Sequence, residues 1–238
     1  MIGIGGCGMS ALARMLSGAG LHIQGCDSTP SPVTNALTEF GINVTFDESA
    51  AQLPEDVDIV LASAAVKPNH PMVLEAINRG LSVLSYPEAL GACMTGRTGI
   101  AIAGTHGKST TTAMLGCAMT DAKLDPSVIV GATCMQLEAG ALAAPTQRVG
   151  CRVGGDSIPQ GGWSGKPGLL VAEACEFNRS FHNLRPTIAS ISSIEADHLD
   201  IYGSLDAVVE SFTQFAQLIP SAEQGGKLII GHDGAYRR

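Results

Sequence analysis

The residues that could bind a nucleoside triphosphate lie together between positions 103 and 112, in the segment AGTHGKSTTT. An apolar run before it, Thr98–Ala103, predicts a buried strand, and a helical pattern follows at 109–121. Strand, glycine loop, Lys-Ser and helix is the order of a phosphate-binding loop, here with the short spacing G-x-x-G-K-S. Lys108 would reach the β- and γ-phosphates, and the Ser109 hydroxyl would ligate Mg²⁺. The alternative is a glycine-rich turn with a surface lysine.

Two carboxylates and a histidine are candidates for metal or phosphate binding in the same half of the chain. Glu173 ends an apolar run at 169–172 that predicts a buried strand, which is where a metal-binding acid lies in proteins with a phosphate loop. A solvated loop glutamate is the alternative, and Glu176, a few residues further on, ranks second. His198 lies in an acidic loop at 193–200 that follows another predicted strand. A structural role and a ligand role are both open for this histidine.

A second glycine motif opens the chain. Gly3, Gly5 and Gly8 fit G-x-G-x-x-G and precede a helical pattern at 9–17. Asp27 follows the motif by about 20 residues, the distance at which an acidic side chain binds a ribose hydroxyl in dinucleotide-binding folds. These residues favour a Rossmann-type nucleotide site over plain turn glycines. Because only a short apolar stub precedes the glycines, we expect the chain to begin inside its first strand.

Strand-like runs alternate with helical patterns along the chain, which predicts parallel sheets and an α/β fold. The further predicted strands are 21–25, 42–46, 57–62, 81–84, 127–130, 187–192 and 227–230. The further predicted helices are 33–40, 71–78 and 205–218, the last capped by Ser204. A linker-like stretch at 94–97 divides the chain into a domain at 1–95 and a domain at 96–238. A long loop at 131–168 is expected to be functional or mobile, and the second domain is expected to be incomplete.

Composition excludes several classes of protein. The net charge is −8, from 14 basic and 22 acidic residues, so we expect no nucleic-acid partner. The seven cysteines contain no C-x-x-C pair, which predicts reduced thiols. No apolar run approaches the length of a membrane span, and the N-terminus lacks the basic region of a signal peptide. A cytoplasmic location without membrane attachment is the expectation.

The order of four motifs, GIGGCGMSALA, AGTHGKSTTT, VAEACEFNRSF and IEADHLDIYG, resembles the Mur ligases over nearly the whole chain. The resemblance implies an N-terminal Rossmann-like UDP-binding domain and a P-loop-type α/β ATPase domain, here truncated. We expect the C-terminal domain of the family to be absent from this sequence. The implied activity is ATP-dependent amide-bond formation in cytoplasmic peptidoglycan synthesis. Its ligands, in the branch that the motifs resemble most, would be ATP, Mg²⁺, UDP-N-acetylmuramate and L-alanine.

The resemblance also implies a role for individual residues, and it assigns the first glycine motif to a UDP-sugar diphosphate rather than to NAD. The UDP-sugar site would comprise Gly5, Gly6, Gly8, Met9, Asp27, Ser63 and Asn69. The ATP site would comprise Gly104, Thr105, His106, Gly107, Lys108, Ser109 and Thr110. The catalytic residues would be Lys108, Glu173 and His198, and the Mg²⁺ ligands would be Ser109, Glu173 and His198.

The sequence departs from the family pattern in two further places. The stretch 175–178, CEFN, stands where the family usually has Asp and then Ser or a Tyr-Asp pair after the metal-binding Glu-Ala, and Ser193 replaces a common asparagine. Because the C-terminal domain and the adenine-contacting part of the central domain are missing, we expect little or no ligase activity from this chain alone. The alternatives are a Mur-type ligase that recycles an intact peptide, an NAD-dependent oxidoreductase, and a nucleotide-binding module without ligase chemistry. The short stretch after Glu173 favours the alanine-adding branch over the recycling one.

Overall fold

The computed structural model describes residues 1–46, 53–139 and 150–231. The α-helices are α1 (Cys7–Gly18), α2 (Pro32–Glu39), α3 (Pro71–Asn78), α4 (Tyr86–Met94), α5 (Lys108–Asp121), α6 (Leu199–Tyr202) and α7 (Leu205–Ala216). The strands are β1 (Gln24–Cys26), β2 (Asn43–Thr45), β3 (Ile59–Ala62), β4 (Ser82–Ser85), β5 (Thr98–Ala103), β6 (Ser127–Ile129), β7 (Cys151–Arg152), β8 (Leu169–Glu173), β9 (Ile188–Ile191) and β10 (Lys227–Ile230). Short 3₁₀ helices cover Met135–Ala139, Phe177–Asn183 and Ala222–Gln224. Part of the predicted long loop, 140–149, lies outside the described residues.

The N-terminal half is a parallel α/β layer with the first residues of the chain at its centre. β1 pairs in parallel with β2, and β3 pairs in parallel with β4. Ile2 forms parallel bridges to both Cys26 and Ala62 and therefore joins the two pairs. Its amide donates to Leu61 O at 2.8 Å, and the Cys26 amide donates to Met1 O at 2.9 Å. The predicted parallel α/β arrangement is confirmed for this half.

The strand predicted at 21–25 is wrong at its start. β1 begins only at Gln24, and Leu21 is exposed. The Leu21 amide donates to Leu16 O at 3.1 Å, so this backbone closes the C-terminal end of α1 and is not available to a sheet. The apolar Leu21 at the end of α1 was therefore mistaken for the first residue of the next strand.

The C-terminal half is a six-stranded sheet in the order β10-β9-β5-β8-β6-β7. β5 lies near the centre, in parallel register with β8 and β9. The expected all-parallel sheet needs one correction, because β7 pairs antiparallel with β6 at the edge. This strand has only two residues and no apolar run, so sequence periodicity could not reveal it.

A helix not predicted from the sequence, α4, joins the two halves. Ser85 and Glu88 form a capping box, in which the Ser85 amide donates to Glu88 Oε2 at 2.7 Å and Ser85 Oγ accepts from the Glu88 amide. The helix ends at Met94, so the stretch predicted as a linker at 94–97 contains the end of a helix and a short turn. Pro and Gly inside the segment concealed the helix, since both are poor helix formers.

One hydrophobic cluster contains side chains from both halves. Met9 and Leu12 of α1 belong to the same buried cluster as Leu170 and Ala172 of β8 and Phe181. Burial of such side chains contributes about 25 cal/mol per Å² of apolar surface removed from water. The shared cluster therefore holds the first glycine motif and the phosphate loop in one packed body. Across the described ranges, no helix is both long and apolar enough to cross a bilayer.

Candidate functional site

The backbone of the phosphate loop adopts conformations that require glycine. Gly104 has φ +134°, and a Cβ there would lie 2.1 Å from Ser192 Oγ. Gly107 has φ +82° in the left-handed region and caps the N-terminus of α5. These conformations turn the chain sharply from the buried strand β5 into α5. The amides at the start of α5 are thereby presented at the carboxyl edge of the sheet, where a helix N-terminus attracts anions.

Lys108, the first residue of α5, directs its ammonium group back across the loop. Nζ donates to Gly104 O at 2.7 Å and to Thr105 O at 3.1 Å. It also forms an ion pair with Glu176, at 2.9 Å from Oε1 and 2.8 Å from Oε2. The predicted phosphate-binding lysine is therefore held at the loop by one buried carboxylate.

Ser109 and Glu173 come together as the predicted metal-binding pair requires. Ser109 Oγ donates to Glu173 Oε1 at 3.0 Å, and the Gly131 amide donates to Oε2 at 2.8 Å. Glu173 ends β8, and a Cβ on Gly131 would lie 2.9 Å from its Oε2. A hydroxyl and a carboxylate are oxygen ligands of the kind that Mg²⁺ prefers. The donor set fits the ion that the sequence predicts.

His198 lies with a different carboxylate. Its Nε2 is 4.0 Å from Glu176 Oε1 and 3.8 Å from Asp197 Oδ2, and the Phe177 ring packs edge-on at 5.1 Å. Ligand atoms of Glu176, Asp197 and His198 all lie within 4.8 Å of one another. Among the residues that the structure describes, the predicted set of Ser109, Glu173 and His198 is therefore divided into a Ser109–Glu173 pair and a His198 group.

The remaining loop residues differ in what they offer a ligand. Thr105 is buried, and its Oγ1 accepts from the Glu195 amide at 2.9 Å, which ties the loop to the segment after β9. His106 is exposed, with Nε2 3.7 Å from Glu195 Oε2. Its carbonyl accepts from Ser192 Oγ at 2.6 Å. Thr110 is exposed on the first turn of α5.

Glu176, which the sequence ranks second, is the carboxylate that contacts Lys108. It is buried, whereas a residue beyond a strand end is normally solvated. The 3₁₀ segment Phe177–Asn183 folds the chain back, and the Tyr202 hydroxyl donates to Glu176 O. No periodic signal predicts this reversal, which depends on positive φ angles at Asn178 and Arg179. The three-residue spacing from Glu173 was the only available indication.

The glycines of the first motif have separate roles. The Gly5 amide donates to Asp27 Oδ2 at 2.7 Å, so Asp27 orients the loop directly. A Cβ on Gly8 would lie 2.7 Å from the Tyr86 ring, so Gly8 allows α1 to approach α4 closely. Gly6 has only a backbone oxygen within 4 Å of an added Cβ, at 3.8 Å, and Met9 is buried in the core. Because Asp27 accepts from the Gly5 amide, the Gly6 amide is the group of this pair that the loop offers to a phosphate.

The two polar residues predicted from the loop after β3 are placed differently. The Ser63 amide donates to Ile2 O at 3.0 Å, and its Cβ lies 2.8 Å from where a Gly3 side chain would begin. Ser63 therefore lies beside the first glycine motif. Asn69 is exposed in the turn before α3.

Tyr86 contacts the first glycine motif and lies within electrostatic reach of Glu173. Its ring packs on Gly8, and burial raises the pKa of its phenol well above the ordinary value, with smaller contributions from Glu173 and Cys175. Burial likewise raises the pKa of the Cys175 thiol. A cavity of about 580 Å³ lies between α1 and α2 of the N-terminal half and the segments 130–133 and 150–151 of the C-terminal half. Cys7, inside the first glycine motif, lines this interdomain cavity.

Comparison with known proteins covers the whole chain. A model of the Mur ligase family catalytic domain matches residues 1–98, and a model of the Mur ligase middle domain matches residues 102–238. UDP-N-acetylmuramate–L-alanine ligases from Kineococcus radiotolerans and Renibacterium salmoninarum are 38% and 40% identical over 98% and 99% of this chain. The chain spans 45% and 48% of those two relatives.

Solved structures agree with the sequence comparison. A UDP-N-acetylmuramate:L-alanyl-gamma-D-glutamyl-meso-diaminopimelate ligase from Neisseria meningitides superposes with TM-score 0.80 at 28% identity, covering 99% of this chain and 71% of that one. A UDP-N-acetylmuramate-alanine ligase from Thermotoga maritima superposes with TM-score 0.78 at 23% identity, covering 99% of this chain and 49% of that one. The resemblance seen in the four motifs is confirmed, and the chain belongs to the Mur ligase family.

Proposed function

We propose that this chain forms the UDP-sugar-binding and ATP-binding parts of an ATP-dependent ligase that joins L-alanine to UDP-N-acetylmuramate. The observation that carries the proposal is the convergence of Lys108 and Ser109, at the start of α5, on the carboxylates of Glu176 and Glu173. The names of the curated relatives support the choice of substrates. The reaction would belong to peptidoglycan precursor synthesis in the cytoplasm.

The phosphate loop would bind ATP through the residues 104–110. Backbone amides at the start of α5 would contact the phosphates, and Lys108 would neutralise charge on the β- and γ-phosphates. Ser109 and Glu173 would hold Mg²⁺, which when bound supplies further neutralisation of the triphosphate. His198 would contribute to a second metal or phosphate contact beside Glu176 and Asp197.

The first glycine motif would hold the diphosphate of the UDP-sugar. Gly6 would offer its amide at the start of α1, and Asp27 fixes the loop through the Gly5 amide. Ser63 lies beside this loop, and Asn69 would contribute from the turn before α3. Because α1 and β8 share one hydrophobic cluster, the sugar end of this ligand would extend toward the ATP site.

The chemistry proceeds through an acyl phosphate. The lactyl carboxylate of the UDP-sugar attacks the γ-phosphorus of ATP, the bond to the β-phosphate oxygen breaks, and ADP leaves. The α-amine of L-alanine then attacks the acyl carbon and displaces inorganic phosphate. The electrostatic obstacle is the approach of two anions, and Lys108 stabilises the charge that develops on the transferred phosphoryl group. The glycine loops contribute by orientation.

A second candidate is the ligase that attaches an intact peptide to the same UDP-sugar. The likeness to the Neisseria meningitides structure, at 28% identity, favours it. The relatives with higher identity carry the L-alanine name and favour the first candidate.

Calorimetric titration with Mg-ATP tests the assignment of the phosphate loop. The unchanged chain should bind saturably, and Lys108→Met should weaken binding by about tenfold or more, since it removes a charge-assisted contact. Lys166→Met, which changes an exposed lysine on the Trp163 ring, is the matched control and should bind as the unchanged chain does. Equal affinities for all three proteins would exclude the loop as the ATP site.

A further inference from the structure

The ammonium group of Lys108 has all of its donors engaged in the structure. Nζ contacts Gly104 O, Thr105 O and the Glu176 carboxylate at distances between 2.7 and 3.1 Å. A lysine ammonium has three N–H donors, and these partners account for them. A polyphosphate that uses Lys108 must therefore replace at least one of these contacts.

Glu176 is the strongest of the three competitors for Lys108. The two loop carbonyls are neutral, whereas the carboxylate is charged, and charge-assisted hydrogen bonds are the stronger kind. The Glu176 side chain is only 4% exposed and that of Lys108 13%, so water and salt screen their attraction weakly. The same carboxylate repels any phosphate group that approaches Lys108.

Contacts of Tyr202 and an unusual backbone turn hold the main chain at Glu176 in place. The Tyr202 hydroxyl donates to Glu176 O, and the Arg179 guanidinium lies 5.0 Å above the Tyr202 ring. Asn178 and Arg179 both have positive φ angles, of 49° and 55°. Such strained backbone persists only where the surrounding structure enforces it, and it concentrates at functional sites. The main chain that carries Glu176 is thus held beside the phosphate loop.

We propose that Glu176 lowers the affinity of the phosphate loop for polyphosphates by competing with them for Lys108. Every ligand that uses Lys108 must first displace the carboxylate, whereas a ligand without β- and γ-phosphates is unaffected. This inference rests on the proposed ATP-binding function of the loop. Glu176 acts through Lys108 and needs no contact with the reacting atoms.

The test compares the unchanged chain with Glu176→Gln and with a control, Glu210→Gln. Gln keeps the shape of Glu176 and loses its charge, whereas Glu210 is an exposed residue of α7 bonded to Gln214. Each protein is titrated with Mg-ATP, pyrophosphate and AMP. We expect Glu176→Gln to bind Mg-ATP and pyrophosphate about three- to tenfold tighter, the scale of one net hydrogen bond. AMP should bind equally to all three, because the lysine reaches only β- and γ-phosphates.

A double variant separates competition from a general structural effect. In a Lys108→Met background, Glu176→Gln should tighten Mg-ATP binding less than it does beside Lys108, since the contested ammonium is gone and only the charge repulsion is relieved. Thermal unfolding shows whether each variant is folded. If Glu176→Gln does not fold, Glu176→Asp replaces it, because the shorter side chain draws the carboxylate away from Lys108 and should tighten binding partially.

The outcomes also distinguish this inference from the proposed function. Binding of Mg-ATP by the unchanged chain, without tighter binding by the folded variant, would overturn the inference and leave the proposed function standing. Absence of Mg-ATP binding by both the unchanged chain and the folded variant would overturn both.

Discussion

Ser109 Oγ donates a hydrogen bond of 3.0 Å to Glu173 Oε1, across the gap between the start of α5 and the end of β8. The two residues are separated by 64 positions in the chain and meet because β5 and β8 are parallel neighbours. Carboxyl ends of parallel strands share one edge of a sheet, so the loop after one strand lies beside the acid that ends the next. The sheet topology therefore creates the candidate Mg²⁺ site.

Ser109→Ala and Glu173→Gln should each remove the dependence of ATP binding on Mg²⁺. Ser109→Ala deletes one of the two oxygen ligands that the structure brings together, and Glu173→Gln removes the negative charge of the other. We expect Mg²⁺ to raise ATP affinity in the unchanged chain and the increase to fall by about tenfold or more in either variant. Titration with ATP in the presence and absence of Mg²⁺ measures this increase in affinity. Ser164→Ala, in an exposed loop, is the control, and a full Mg²⁺ effect in all variants would place the ion elsewhere.

Gly104→Ala should destabilise the protein strongly. The new Cβ would lie 2.1 Å from Ser192 Oγ, at a φ of +134° that side chains rarely adopt. We expect a loss of about 2 kcal/mol or more in the free energy of unfolding, measured with denaturant. Gly162→Ala meets nothing within 4 Å and should change stability by less than about 0.5 kcal/mol. Similar losses in both variants would contradict the described geometry of the loop.

The capping box of α4 should make stability depend on acid pH. Hydrogen bonds from Ser85 lower the pKa of Glu88 in the folded state. A carboxyl with a lowered folded pKa stabilises the protein above its unfolded pKa, and the stabilisation is lost as pH falls through the folded value. Because Glu88 is exposed, solvent keeps the effect small.

Glu88→Ala should therefore cost about 0.5–1 kcal/mol at pH 7, and the difference from the unchanged chain should shrink below about pH 4. Chemical denaturation at a series of pH values measures both quantities. Glu55→Ala removes another exposed carboxylate, outside any capping box, and should show no such difference. A pH-independent cost for Glu88→Ala would rule out the ionised carboxylate as its origin.

Two cysteines beside the interdomain cavity should differ in reactivity. Cys7 is exposed at the first position of α1, whereas Cys151 is buried in β7, and burial raises the pKa of its thiol to about 11. Only the thiolate is nucleophilic, so at pH 8 iodoacetamide should alkylate Cys7 at least about tenfold faster than Cys151. Peptide mass spectrometry measures the two rates. Unfolding in guanidinium chloride should abolish the difference, and equal rates in the native protein would contradict the burial of Cys151.

Strong local signals predicted most of the fold. β5 and β10 begin and end where their apolar runs do, and α3 begins at Pro71, which fits the first turn of a helix. β7 and α4 were not predicted, because a two-residue strand has no periodicity and α4 contains Pro and Gly. Their existence depends on tertiary pairing and on a capping box rather than on propensity.

The candidate site was predictable only to the extent that it is local. Lys108 and Ser109 belong to one continuous motif, and Glu173 ends a clearly apolar strand. The association of Lys108 with Glu176, and of His198 with Glu176 rather than with the Ser109–Glu173 pair, depends on the strained turn at Asn178. A backbone conformation that the local residues disfavour cannot be predicted from those residues.

The most direct test of the central claim is calorimetric titration of this chain with UDP-N-acetylmuramate, beside a titration with NADH. The glycine loop at Gly5, anchored by Asp27, is proposed to hold a UDP-sugar diphosphate and not a dinucleotide. We expect saturable binding of UDP-N-acetylmuramate and none of NADH. Binding of NADH without a response to the UDP-sugar would contradict the ligase assignment and favour a dinucleotide-dependent enzyme.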